Sequence, residues 1–158
     1  MTDSTTRDRI TPALHQWLLT QGFDPDNLEQ RGQNGDTALM QATRMEEAEV
    51  VRALIQAGAA LNVRNNDGNN ALWFACFRDR KDLIEQLISA GIDLDNQNDN
   101  GATVLMYAAS AGKAEMVKAL LAAGADAQLT NLDDFRAIDF AANFDIIRIL
   151  KHGVGNGN

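Results

Sequence analysis

A short motif returns every 33 residues: Gly35-Asp36-Thr37-Ala38-Leu39, Gly68-Asn69-Asn70-Ala71-Leu72 and Gly101-Ala102-Thr103-Val104-Leu105, with a weaker fourth copy at Asp134-Phe135-Arg136-Ala137-Ile138. A second register keeps the same period. Gly58, Gly91 and Gly124 each close an apolar stretch, and Ala42, Ala75, Ala108 and Ala141 keep step between the two sets. Two registers in phase predict a row of like units. A unit this short cannot bury its apolar face alone, so stability has to come from stacking neighbours and function from the surface that the row displays. A globule built round one central cleft does not fit this pattern.

Within each unit the later half carries apolar pairs at helical spacing: Val50, Val51, Leu54 and Ile55, then Leu83, Ile84, Leu87 and Ile88, then Met116, Val117, Leu120 and Leu121. They predict a helix with one buried stripe. The earlier half is shorter and richer in alanine, with Thr37, Asn70 and Thr103 placed as N-caps whose side-chain oxygens can take open backbone amides. Each unit is therefore expected to be two antiparallel helices. Ala42, Ala75 and Ala108 permit close approach of the short helices, and Gly58, Gly91 and Gly124 suit the left-handed position past a helix end. Between helix pairs lie Asn62-Val63-Arg64-Asn65-Asn66-Asp67-Gly68 and Asp95-Asn96-Gln97-Asn98-Asp99-Asn100-Gly101. Asn, Asp and Gly tolerate positive φ and bond their own backbone, so these read as projecting turns.

These residues resemble the ankyrin repeat, a β-turn finger followed by two helices, with a Gly-x-Thr-Pro-Leu-His-x-Ala core, a Val-x-x-Leu-Leu helix and a Gly-Ala-Asp ending. The third copy is nearest, reading Gly101-Ala102-Thr103-Val104-Leu105 and then Met116-Val117-Lys118-Ala119-Leu120-Leu121-Ala122-Ala123-Gly124-Ala125-Asp126. The resemblance covers about residues 31 to 153. It departs at Ala38, Ala71 and Val104, where the family has Pro, and at Met40, Trp73 and Met106, where it has His. The resemblance implies that Thr and His brace the fingers, a device this chain lacks in part. The implied fold is all-α: an ankyrin-repeat solenoid of stacked helix-turn-helix units with β-turn fingers.

The ends read as caps. Thr11-Pro12 starts a helix, and Leu14, Trp17, Leu18 and Leu19 lead to Gly22, so residues 11–22 are expected as a capping helix. The last copy loses three residues between its helices, bringing Ala141-Ala142-Asn143-Phe144 directly onto Asp145-Ile146-Ile147-Arg148-Ile149-Leu150. The expected layout is an N-terminal tail and capping helix over 1–30, three repeats over 31–129, a truncated capping repeat over 130–153 and a flexible tail over 154–158.

Composition narrows the function. With 45% hydrophobic and 23% charged residues the chain has the make-up of a folded protein, so disorder is not the default. A net charge of -8 opposes binding to phosphate backbones, which argues against nucleic acid. No stretch resembles a secretory signal, and no apolar run approaches the roughly 20 residues of a membrane span. The expectation is an intracellular, cytoplasmic protein that does not engage membranes. Cys76, the single cysteine, cannot form an internal disulfide or a thiol-based zinc cage and is expected to be small, packed and inert. His15 and His152 fall near opposite ends of the chain, too far apart in the row to share a site. A calcium reading of Asn96–Tyr107 fails, because the first ligand is not Asp and the twelfth position is Tyr107 instead of Glu. No catalytic residue, metal ligand or cofactor is expected, and the chain is not read as an enzyme.

In ankyrin-like proteins the fingers and the exposed side of the short helices form a concave surface where partners bind. Carried over by position, this implies a partner-binding set of Arg31, Arg44 and Met45 in the first repeat, and Arg64, Asn66, Asp67, Asn69, Phe77 and Arg78 in the second. The last repeat adds Phe135 and Phe144, beside Leu132, Asp133 and Asn143. Aromatic and Arg side chains are the commonest interface anchors. Arg44, Arg64 and Arg78 are expected to form a basic stripe, and Trp73 is expected in the core. The resulting reading is a monomeric, non-catalytic protein–protein interaction module. The alternative is a regulatory or stabilising subunit of an enzyme or of a homo-oligomer.

Overall fold

A computed structural model describes residues 9–152; the expected tail ahead of Arg9 and that at 154–158 lie outside the described residues. The chain divides into two compact units, Met1–Ile92 and Asp93–Asn158. Every described element is an α-helix or a 3-10 turn.

The first unit opens with α1, Pro12–Thr20, where Thr11 Oγ1 accepts from the Leu14 amide at 3.1 Å and proline fills the first helical position. Proline costs nothing there because that amide has no partner inside the helix. Leu14 and Leu18 are buried, and α1 packs on α3. Two helix pairs follow: α2, Ala38–Arg44, with α3, Ala48–Gln56; and α4, Ala71–Phe77, with α5, Lys81–Ser89. Short packs on short and long on long, α2 against α4 and α3 against α5. Ala42 and Ala75 are fully buried in the short helices, where any larger side chain would push neighbours apart.

The second unit holds α6, Val104–Ser110, and α7, Ala114–Ala122, then the 3-10 turn Ala137–Phe140 and α8, Phe144–His152. The fourth copy thus keeps its long helix and reduces its short one to a single 3-10 turn, which packs on α6 and α8. The deletion seen in sequence explains this, since too few residues remain between motif and long helix for a second α-turn. Asn143 Oδ1 caps α8 by accepting from the Ile146 amide at 3.0 Å.

The long helices carry the core. Leu54, Leu87 and Leu120, one period apart, are each fully buried, and each contributes about 2 kcal/mol through removal of its side chain from water. The helix-joining turns need a left-handed residue at one fixed place, supplied by Glu46 at φ 62°, Asp79 at φ 55° and Gly112 at φ 72°. Only the last is free of the steric penalty that a Cβ brings there.

Two of the three expected N-caps form: Thr37 Oγ1 accepts from Met40 N–H at 3.4 Å and Thr103 Oγ1 from Met106 N–H at 3.2 Å. The third does not. Asn70 occupies the cap position with extended backbone but makes no side-chain capping bond. The Trp73 amide it would serve donates to Asn70's backbone carbonyl at 3.2 Å instead.

Candidate functional site

Each finger is a tight turn whose two ends are joined by a backbone bond. Gly32 N–H donates to Asp36 O at 2.7 Å, Asn65 to Asn69 O at 2.9 Å, Asn98 to Ala102 O at 2.9 Å and Asn131 to Phe135 O at 2.9 Å. In three of the four an asparagine side chain fills the turn. Asn65 Oδ1 accepts from the amides of Asp67 and Asn69 at 3.0 and 3.1 Å. Asn98 Oδ1 does the same for Asn100 and Ala102, and Asn131 Oδ1 for Asp133 and Phe135. This device braces each of these three turns from within. Its signal was present in sequence as Asn65, Asn98 and Asn131 at the 33-residue period. Sequence reasoning had asparagine bonding its own backbone in these turns but did not single out this position.

Long polar side chains then tie one finger base to the next. Arg31 Nη1 donates to Gly35 O at 3.2 Å and to Arg64 O, one period on, at 2.6 Å. Gln97 Nε2 repeats the pattern in the second unit, to Gly101 O at 2.9 Å and Thr130 O at 2.8 Å. Arg64 Nε donates to Gly68 O at 3.1 Å. At the tips, Asn34 Nδ2 donates to Asp67 Oδ2 at 2.8 Å, and Asn66 N–H to Asn34 O at 2.9 Å.

The first finger also carries a buried charge. Asp36 is 1% exposed, and its carboxylate accepts from Arg44 Nη1 at 2.6 Å and from Asn65 Nδ2 at 2.9 Å. A carboxylate this buried needs such partners, because an unpaired one would lose its hydration for nothing. The Arg44 guanidinium also lies 5.7 Å from the centre of the Phe74 ring, within cation–π range. Of the expected basic stripe, Arg44 is partly buried against Asp36, whereas Arg64 is exposed while its Nε–H donates to Gly68 O. Arg78 is exposed just past the end of α4.

The apolar members of the expected set differ from the charged ones. Trp73 is buried, as expected, and Phe77 leans on it with ring centres 5.5 Å apart while remaining 46% exposed. Met45 is exposed at the end of α2. In the second unit Phe135 is 49% exposed and meets Phe140 edge-on at 5.9 Å. Phe144 is 84% exposed at the start of α8. Arg31, Asn66, Asp67, Arg44, Met45, Phe77 and Arg78 therefore occupy fingers or short-helix ends of the first unit, and Phe135 and Phe144 the finger and long-helix start of the second. Asn69 is half-buried, and its Oδ1 has no hydrogen bond among the described residues.

Groups able to do chemistry are held apart or shielded. Cys76 is fully buried, and loss of hydration, helped by the nearby Asp79 charge, pushes its thiol up to about 12. Such a thiol is protonated and unreactive at neutral pH. His15 is exposed on α1, beside a shallow groove of about 230 Å³ lined by Ile10, Leu19, Pro25 and Asp26. His152 is exposed in the last turn of α8, where the helix dipole favours a cation. No group of three or more His, Cys, Asp or Glu suited to a metal ion occurs among the described residues. Among them, too, no helix is long and apolar enough to cross a membrane.

Helix pairs joined by short turns, fingers at a fixed period and a polar N-cap residue ahead of each short α-helix define an all-α repeat protein. Residues 11–98 and 78–157 match the family model described as ankyrin repeats (3 copies), and the chain belongs to the ankyrin-repeat family. Repeats of this family generally serve protein–protein interaction. No curated protein matches the chain.

Proposed function

We propose that the protein is a non-catalytic binding module whose first unit engages a protein partner through its fingers and the exposed ends of its short helices. The observation that carries this reading is Phe77. Its ring rests against buried Trp73, so its position is fixed, yet nearly half its surface meets water. An aromatic side chain ordered before binding loses little entropy on association, which is the property of an interface anchor. Met45 and Arg78, at equivalent places past the ends of α2 and α4, give it an apolar and a cationic neighbour from the same structural position. Arg31, Arg64, Asn66, Asp67 and Asn69 contribute through shape: the fingers they build are rigid, and Arg44 acts by securing Asp36. The net charge of -8 makes nucleic acid a poor partner and a protein surface with cationic or apolar character a better one.

The test is retention of partners from native lysate by the full chain and by Phe77→Ala/Arg78→Ala, after thermal melts establish that both fold alike. Loss of at least one specifically retained protein is expected from the variant. Equal recovery of every partner rejects this surface.

A further inference from the structure

The fourth finger departs from the other three in a way that its turn does not require. Position by position, Gln33, Asn66 and Asp99 become Leu132, and Asp36, Asn69 and Ala102 become Phe135. The turn itself is secured by Asn131, whose side chain and backbone satisfy the amides of Asp133, Asp134 and Phe135. It is also tied to the preceding finger by Leu132 N–H to Asn100 O at 3.1 Å. Nothing in that bonding calls for an apolar side chain, yet Leu132 is 74% exposed and Phe135 about half exposed. Between them project Asp133 and Asp134, both exposed, and neither carboxylate makes an ion pair among the described residues. Asp134 stands at φ 65°, where the second and third fingers place Gly68 and Gly101. From 126 to 148 there are five aspartates and two basic residues, Arg136, whose Nη1 is bonded to Gln128 Oε1 at 3.1 Å, and Arg148, which pairs with Asp145.

Two exposed apolar side chains flanking two unneutralised carboxylates on a braced turn have a definite complement. We propose that the finger at 131–135 docks a cationic protein segment in which an apolar side chain lies between basic residues: the apolar group covers Leu132 and Phe135 while its neighbours meet Asp133 and Asp134. This rests on the binding-module reading and adds to it a second docking point and the chemistry of what docks. A second copy of this chain is disfavoured as occupant, because it would bring the same negative finger to a negative surface. A phosphate-bearing ligand is disfavoured for the same reason. Because the turn is already ordered, the contact incurs little ordering entropy and can be made by a few side chains.

The test uses the full chain, isotopically labelled, titrated with three short synthetic peptides at about 150 mM salt, where long-range charge attraction is screened. One alternates Lys and Leu, one Lys and Ser, and one Glu and Leu. Only the Lys/Leu peptide should shift amide resonances, and the shifts should centre on residues 131–136. Asp133→Asn/Asp134→Asn and Leu132→Ser should each weaken it by about tenfold, the size of loss expected when one charged or apolar contact of a small interface is removed. No binding of the Lys/Leu peptide, shifts confined to residues 38–78, equal binding of the Lys/Ser peptide, or indifference to the aspartate variant would each overturn the proposal. The two readings fail separately. If Phe77→Ala/Arg78→Ala loses its partner while the peptides leave 131–136 untouched, the finger proposal falls and the Phe77 surface stands. If that variant keeps every partner while the Lys/Leu peptide binds at 131–136, the reverse holds.

Discussion

The first and fourth fingers share one outline but are secured by different means. Residues 32–36 depend on distant partners: Asp36 on Arg44 and Asn65, and Gly35 on Arg31, which reaches on to Arg64. Residues 131–135 are braced mainly from within, by Asn131. The consequence is what remains for a partner. In the first finger the charged groups are consumed by the fold, and the exposed apolar side chains lie at the helix ends, at Met45 and Phe77. In the fourth the brace is one side chain, so the flanking positions are released and carry Leu132 and Phe135. A local brace frees surface that a long-range brace occupies.

The largest expected effect breaks the fingers at their closest approach. A Cβ on Gly101, at φ 74°, would lie 2.9 Å from Leu132 N and 3.1 Å from two Asn131 backbone atoms, none of which can swing aside. On Gly35, at φ 72°, it would meet the tip of the Asn66 side chain at 2.5 Å, which can rotate, and Asn66 N at 3.2 Å. Gly101→Ala should therefore cost about 3 kcal/mol and Gly35→Ala about 1 to 2, the range for strained left-handed residues with and without relief. Urea melts of both variants measure this. Equal losses would show that backbone conformation alone sets the cost and that finger contact adds nothing.

Next comes the contrast at a single motif position. Asp36→Ala leaves the Arg44 guanidinium and the Asn65 amide without their acceptor, and should destabilise by about 2 kcal/mol; Arg44 is 38% exposed and can recover water, which keeps the loss below that of a fully buried pair. Phe135→Ala, at the equivalent place, should cost less than about 1 kcal/mol, since half the ring is already in water. Its effect should appear in binding instead. If Phe135→Ala proves the more damaging to stability, its ring is core and the finger proposal loses its premise.

These contrasts also mark what could be read in advance. The helix pairs, the glycine-ended long helices and the buried alanines were legible because a 33-residue period places like residues in like surroundings three times over. The capping helix was legible from Thr11-Pro12. Trp73 was expected in the core, but the exposure of Phe77 was open in sequence, since both lie on one seven-residue helix and only the direction each side chain takes separates them. The partners of the arginines were not legible for a related reason. Sequence does not show that Arg44 bonds a carboxylate eight residues back or that Arg64 bonds a carbonyl four residues on. Asn70 looked like a cap by type, and backbone geometry gave the Trp73 amide another acceptor.

Cys76 offers a probe of the first unit's interior that no finger variant touches. Below pH 9 its thiol is neutral in both folded and unfolded chains. As pH rises from 9.0 towards about 12 the unfolded thiol ionises while the buried one holds its proton, so this group's contribution to stability falls through that window. Cys76→Ala should reduce the alkaline slope of stability by about one proton, measured as urea midpoints against pH. At pH 8 a thiol reagent should label the native chain only as fast as the chain opens. Rapid labelling of the native protein would mean that the α4 interior is accessible and that Trp73 does not hold Phe77 rigidly.

The smallest effect tests whether burial is what makes the first unit's long-range ties matter. Arg80 bonds Asp82 at 2.8 and 2.9 Å and reaches back to Glu46, one repeat earlier, at 3.3 Å, but neither carboxylate is buried as that of Asp36 is. The Arg80 hydrogen bonds hold the Asp82 carboxyl below its ordinary value of 3.8. Its contribution is therefore present above that value and is lost as pH falls through the lower, folded one. In water it is worth a few tenths of a kcal/mol at most. Asp82→Asn should accordingly shift the thermal midpoint slightly at pH 7, and the gap from the unaltered chain should close in acid and again in about 1 M salt. If Asp82→Asn instead costs as much as Asp36→Ala and resists salt, reach between repeats, rather than burial, is what gives these ties their strength, and the fourth finger's local brace would then be a loss of stability as well as a release of surface.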